Sequence, residues 1–363
     1  MMVLAVLVGA GAIAVFLGRG EGLNKTIEGE AIDELRTIKS QIDPSLYTMT
    51  IPYLRERDYA SSLGEMEKLR EAGDYSVYLT NYDSDGFRVN GLLAVPKGEM
   101  PAEGWPAVVF IHGYQNPATY QTDGQSYAAY WSYLARAGFV VFKIDLRGHG
   151  ESEGARTSSY FSGEAVVDAL NAYAALRGDG GGVGGGIRVG EGEDFVNSAR
   201  VYMWGHSMAG NTILRAVAAR PEVIPKVAIW GGAVFTYTDM GKYGIHDTSY
   251  VRQPVAGEAE GENRGREVAR RLRPSLETIG NENDVFWQAT IPTNYLNEIK
   301  TEIGLFHAIN DEVVNVGYSR DLEALAATSS ATVVLHEYAT GGHNISSPAF
   351  EEAMRETVEF FRE

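Results

Sequence analysis

Val201-Tyr202-Met203-Trp204-Gly205-His206-Ser207-Met208-Ala209-Gly210 is the stretch that decides the fold. Its first four residues form a short apolar run, as a strand buried on both faces requires. From Met208 to Ala219 the apolar residues recur at helical spacing. Between the two elements, Gly205 and Ala209 leave room for the backbone to turn sharply. A strand that feeds directly into a helix is the repeating unit of a parallel α/β sheet.

Working outward, the same alternation appears on both sides. Ala107-Val-Val-Phe-Ile111, Phe139-Val-Val-Phe-Lys-Ile144 and Val227-Ala-Ile-Trp230 read as buried strands, as do the runs Ile303 to Ala308 and Thr332 to Glu337. Helical spacing fills Tyr127 to Ala137, Gly163 to Leu176, Tyr318 to Ala327 and Pro348 to Phe361. Ahead of them, Tyr75 to Thr80 and Phe87 to Pro96 alternate like strands around Asp83-Ser-Asp-Gly86, a hairpin turn signal. The reading is an α/β chain with a doubly wound, mostly parallel sheet, opened by an N-terminal antiparallel hairpin.

Three segments stand outside this pattern. Met1 to Leu17 carries no charged side chain, and residues 1–20 are expected to be a hydrophobic anchor or export segment, so that the protein is membrane-anchored or exported. Residues 21–74 read as a helical lead-in, because Glu30 to Arg36 and Ser61 to Arg70 place apolar residues at three- and four-residue steps. The main domain then spans residues 75–363. Within it, residues 178–192 hold nine glycines and read as a surface loop. Residues of about 235–294, polar in the middle and aromatic at both ends, read as a helical cap over the sheet's carboxyl edge.

Composition narrows the function classes. The 363 residues are 44% apolar and 22% charged, enough to build a large core. A net charge of −17 repels phosphate backbones, which argues against a nucleic-acid partner. With no cysteine, disulfides, thiolate nucleophiles and Cys-ligated zinc are excluded. No His-Glu-x-x-His spacing occurs, so no metal site and no cofactor are expected.

The strand ends carry the candidate chemistry. Ser207 sits in the turn quoted above, Asp311 in Asn310-Asp311-Glu312-Val313-Val314, and His343 in Gly341-Gly342-His343-Asn344. A serine hydroxyl becomes a nucleophile when a histidine takes its proton and a carboxylate fixes that histidine's tautomer. His112-Gly113-Tyr114 follows another strand, and the amides of Tyr114 and Met208 are the expected donors to an oxyanion. Asp145 is the rival acid, read as the anchor of the Arg147-Gly-His-Gly turn instead. His307 and His336 lie in apolar strands and read as core histidines.

These pieces carry a resemblance. Asp85-Gly86-Phe87, Val108-Val-Phe-Ile-His-Gly113, Asp145-Leu-Arg-Gly-His-Gly-Glu-Ser152, Ala199 to Met208, Asn310 to Val314 and Gly341-Gly-His343 together resemble the α/β-hydrolase superfamily. The resemblance is to the prolyl oligopeptidase-like (S9) catalytic domains and their related esterases. The order Ser, Asp, His along the chain is theirs, and it implies Ser207 as nucleophile, Asp311 as acid and His343 as base. One departure is Ala209, where the family's turn has glycine. The resemblance places no substrate; the aromatic residues around this centre, among them Tyr120, Tyr237 and Trp287 as expected substrate contacts, suggest a small carboxylic ester of apolar or aromatic character. Two other readings stay open: a serine aminopeptidase or oligopeptidase, and an inactive membrane-tethered binding protein.

Overall fold

Among the described residues, nine strands join in one sheet that organises the chain. The computed structural model describes residues 37–117, 119–155, 160–178, 195–244 and 283–363. Two short helices, α1 (Pro44–Tyr47) and α2 (Ile51–Glu56), lead into β1 (Glu67–Glu71), β2 (Tyr75–Ser84), β3 (Phe87–Pro96) and β4 (Trp105–Ile111). Then come α3 (Ala128–Arg136), β5 (Val140–Ile144), α4 (Gly163–Arg177), β6 (Val196–His206), α5 (Met208–Ala219) and β7 (Lys226–Trp230). The rest are α6 (Tyr237–Tyr243), α7 (Val285–Thr290), β8 (Glu302–Ala308), α8 (Gly317–Ala326), β9 (Thr332–Tyr338) and α9 (Ala349–Arg362).

The sheet runs β1-β2-β3-β5-β4-β6-β7-β8-β9; the pairings β1–β2, β2–β3 and β3–β5 are antiparallel, and those that follow along the sheet are all parallel. A parallel strand needs cover on both faces. Val166, Leu170, Ile213 and Leu214 of α4 and α5 cover one face, together with Leu46 and Leu54 of the lead-in. Trp131 and Leu134 of α3, with Met354 and Phe361 of α9, cover the other. Arg215, fully buried in α5, ties the lead-in down by donating to the Met49 and Ser162 carbonyls. The hairpin closes as its sequence suggests. Asp85 and Gly86 both have positive φ (58° and 78°), the two-residue turn whose twist matches paired strands.

One sequence expectation fails. Residues 61–70 read as helix, yet Glu67–Glu71 is an edge strand antiparallel to β2. Met66 packs with one core layer and Leu69 with the other, on opposite faces of the sheet. A three-residue step puts side chains on one face of a helix but on opposite faces of a strand. The unpaired edge of β2 decided between the two. Exposed Glu67, Lys68 and Glu71 suit that edge, because charge discourages further strand pairing.

The sheet order also places the site. Strand β4 is flanked by β5 on one side and β6 on the other, so the winding reverses there. Ligands of open α/β sheets bind outside the carboxyl ends of strands at such a switch point. The loops leaving that edge after β4 and β6 begin at His112 and Ser207. The apolar stretch 1–17, the glycine-rich loop beyond Gly178 up to residue 194, and residues 245–282 of the expected cap lie outside the described residues. Among the described residues, no helix is long and apolar enough to cross a membrane.

Candidate active site

Ser207 is held in a conformation that serine seldom adopts, with φ 58° and ψ −120°. Such backbone costs roughly 1–3 kcal/mol and persists only where the surroundings enforce it. Here the Ser207 amide donates to the Trp230 carbonyl (2.8 Å), and its own carbonyl accepts from Gly210 (2.9 Å) at the start of α5. Glycine at 205 is obligatory: a Cβ there would lie 2.7 Å from Ile213 and 2.8 Å from the Ala209 methyl. That contact also explains why alanine is tolerated at 209, since its methyl fills the space that Gly205 leaves open.

Asp311 follows β8 and is saturated with donors. Its Oδ1 accepts from the amides of Val313 and Val314, both at 2.8 Å. Its Oδ2 accepts from His343 Nδ1 at 2.8 Å and faces His307 Nε2 at 3.2 Å. Burial alone would raise this carboxyl. The bonds from His307, His343 and the Val314 amide outweigh it and hold the group well below the usual carboxylate range. With the His343 Nδ1 proton bound to Asp311, Nε2 is left as the basic nitrogen. The loop that delivers His343 needs glycine, because Gly341 and Gly342 have φ of 129° and 61°.

Neighbouring backbone draws the serine and the histidine together. A Cβ on Gly231, at the end of β7, would sit 3.4 Å from both Asp311 Oδ2 and His343 Nδ1. His206, next to Ser207, donates from Nε2 to the His343 carbonyl (2.8 Å), and the two rings lie 4.4 Å apart. No hydrogen bond joins Ser207 Oγ to the His343 ring in this structure. Catalytic contacts of this kind often close only when substrate is bound.

The β4 loop completes the arrangement. A Cβ on Gly113 would lie 3.1 Å from Ser207 Cβ and 3.0 Å from the His206 carbonyl, so this backbone rests directly on the serine turn. The Gly113 amide donates to Tyr127 Oη (3.1 Å). His206 Nε2 faces a carbonyl and therefore carries the ring proton, so Nδ1 accepts from the Tyr127 hydroxyl at 2.7 Å. Burial pushes the His206 imidazole down to about 3, keeping it neutral in this chain of bonds. Tyr114 follows Gly113, half-buried, and the Met208 amide heads α5, whose N-terminus has no side-chain cap bond. Both amides therefore belong to backbone that flanks Ser207.

Other expected site residues lie elsewhere. Tyr120 is buried, donating to Asp145 Oδ1 (2.8 Å) and accepting from Lys143 Nζ (2.9 Å). Lys143 is buried in β5 and needs these oxygens, so Tyr120 serves the core and not a substrate. Trp287 is 3% exposed, packed edge-on against Phe161, Tyr237 and Phe286 at 4.9–5.5 Å. It is a packing residue of α7. Tyr237 is half-buried on its far side. Trp287→Ala is accordingly expected to cost about 3–5 kcal/mol of stability. Thermal melts should show that loss, while relative rates on small and bulky esters stay unchanged.

One histidine departs from the sequence reading and a second gains an unexpected neighbour. His336 is not in the core: β9 is an edge strand, and the ring stacks on Phe306 (4.7 Å) while pairing with Glu356 (3.2 Å). His307 is buried as expected but also approaches Asp311 Oδ2 (3.2 Å), which nothing in its apolar strand announced. Among the described residues, no histidine side chain bonds the Asp145 carboxylate. Its partners are Tyr120 and Thr122, and His112 reaches only its carbonyl.

The sheet order and the serine turn after β6 define an α/β-hydrolase fold. A family model described as serine aminopeptidase, S33, matches residues 105–253. Among solved structures, an acetyl xylan esterase from Paenibacillus sp. R4 is similar over 90% of this chain and 99% of its own, at 17% identity and TM-score 0.55. Acetyl xylan esterase 1 from Thermoanaerobacterium sp. JW/SL YS485 is similar over 87% and 92%, at 19% identity and TM-score 0.51. Dipeptidyl peptidase 4 from Porphyromonas gingivalis is similar over 80% of this chain but 35% of its own, at 15% identity and TM-score 0.53. At such identities the likeness establishes the shared fold.

Proposed function

We propose that this chain is a serine esterase, with Ser207 as nucleophile, His343 as general base and Asp311 as the acid that orients it. The observation that carries the reading is the Asp311–His343 pair, 2.8 Å apart, set beside a serine held at φ 58°. His343 Nε2 takes the Ser207 proton as Oγ attacks the ester carbonyl. The Tyr114 and Met208 amides then receive the oxyanion, each donor contributing about 10²–10³ in rate. His343 returns the proton to the leaving alcohol. Water, activated by the same nitrogen, releases the carboxylic acid from the acyl-enzyme.

Ester over amide is supported by full-length similarity to two proteins named as acetyl xylan esterases. The aminopeptidase reading draws on the matched family model's description. A panel of p-nitrophenyl esters of rising acyl length and aminoacyl p-nitroanilides separates the two. Ester turnover should exceed anilide turnover at least about 10²-fold in kcat/KM, on the order of 3 kcal/mol of transition-state discrimination. Comparable or greater turnover of the anilides would overturn the esterase assignment in favour of the peptidase.

A further inference from the structure

Asp311 Oδ2 is shared between two imidazoles, and only one of them belongs to the triad. His307, fully buried in β8, points Nε2 at two oxygens that can only accept: the Val314 carbonyl (3.0 Å) and Asp311 Oδ2 (3.2 Å). Nε2 must therefore carry the proton. Nδ1 lies 2.7 Å from Ser319 Oγ of α8, which can donate to it and fix the ring. Since Oδ1 is already filled by two amides, His307 and His343 compete for the one remaining oxygen.

We propose that His307 is a positioning residue that draws off part of the Asp311 charge and thereby sets the pH at which the His343 base is lost. This rests on the triad assigned above. A carboxylate that donates its electron density to two N–H groups attracts an imidazolium less than one serving a single partner. Removing the His307 bond leaves Asp311 in place, because the Val313 and Val314 amides still hold Oδ1. It strengthens the hold on protonated His343. Among the described residues, the titratable groups facing His343 are Asp311, from the loop after β8, and His206, from the end of β6. His206 stays neutral at catalytic pH, so the shift falls on the Asp311–His343 pair.

Two amide variants separate charge sharing from packing. The amide of His307→Asn falls near the Nδ1 position and keeps Ser319 while abandoning Asp311. The amide of His307→Gln falls near Nε2 and keeps a donor to Asp311. The acid limb of kcat/KM for a p-nitrophenyl ester should move to higher pH by about half a unit to one unit in His307→Asn, with KM unchanged. In His307→Gln it should stay near the wild-type position. An unmoved limb in His307→Asn, or equal shifts in both variants, overturns the proposal. Should His307→Asn fail to fold, Ser319→Ala, which frees the ring, should move the limb the same way by a smaller amount, and no movement is again the contrary result. NMR titration of the His343 ring protons in the same variants reads the shift without turnover. A protein inactive on esters would thus count against the function while the shared carboxylate is still tested.

Discussion

Ser207→Ala should lower ester kcat/KM by about 10⁴–10⁶-fold, the range seen when the nucleophile of such a triad is removed. The whole loss belongs to chemistry. Ser207 Oγ holds no hydrogen bond among the described residues, so its removal takes nothing from the fold. Alanine at φ 58° carries the same backbone strain as serine. The melting temperature should therefore match the wild type. A variant that kept more than about a tenth of wild-type turnover would place the nucleophile elsewhere.

Asp311→Asn is the second large effect, expected at about 10⁴-fold in kcat. The Val313 and Val314 amides demand an acceptor, so the new side chain must turn its carbonyl toward them. Its amide group then faces His343 Nδ1 and His307 Nε2, two nitrogens that both bring protons. His343 can relieve the clash by moving its proton to Nε2, the position that must stay basic. Asp145→Asn should behave differently. It removes the carboxylate charge that favours buried Lys143 across Tyr120 and weakens the bonds from Tyr120 and Thr122, so it should lower stability. The folded fraction should retain its kcat. Chemical denaturation alongside initial rates separates the two outcomes: activity lost in a fully folded Asp145→Asn would reverse the assignment of the acid.

Much of this was legible in the sequence, for physical reasons. Runs such as Ala107 to Ile111 suit strands buried on both faces, and a serine between Gly205 and Ala209, after one such run and before a helical pattern, fits a tight strand-to-helix turn. What escaped depended on partners far along the chain. The strand at Glu67 forms because β2 offers an edge, which no window of ten residues contains. Tyr120 and Trp287 looked like substrate walls because aromatic side chains near a site are ambiguous until their burial is known. Tyr127 meets His206 across 79 residues, and its role in holding the β4 loop has no local signature. His307 is the subtler case. It sits four residues before Asp311, but only the turn after β8 folds the carboxylate back onto it.

The central claim is that Ser207 carries the acyl group, and mass spectrometry of the trapped enzyme tests it most directly. After reaction with a fluorophosphonate probe, proteolysis and fragmentation should place a single adduct on Ser207, formed fastest where His343 is neutral. An adduct on any other residue, or none on an enzyme that still turns over esters, would contradict the account.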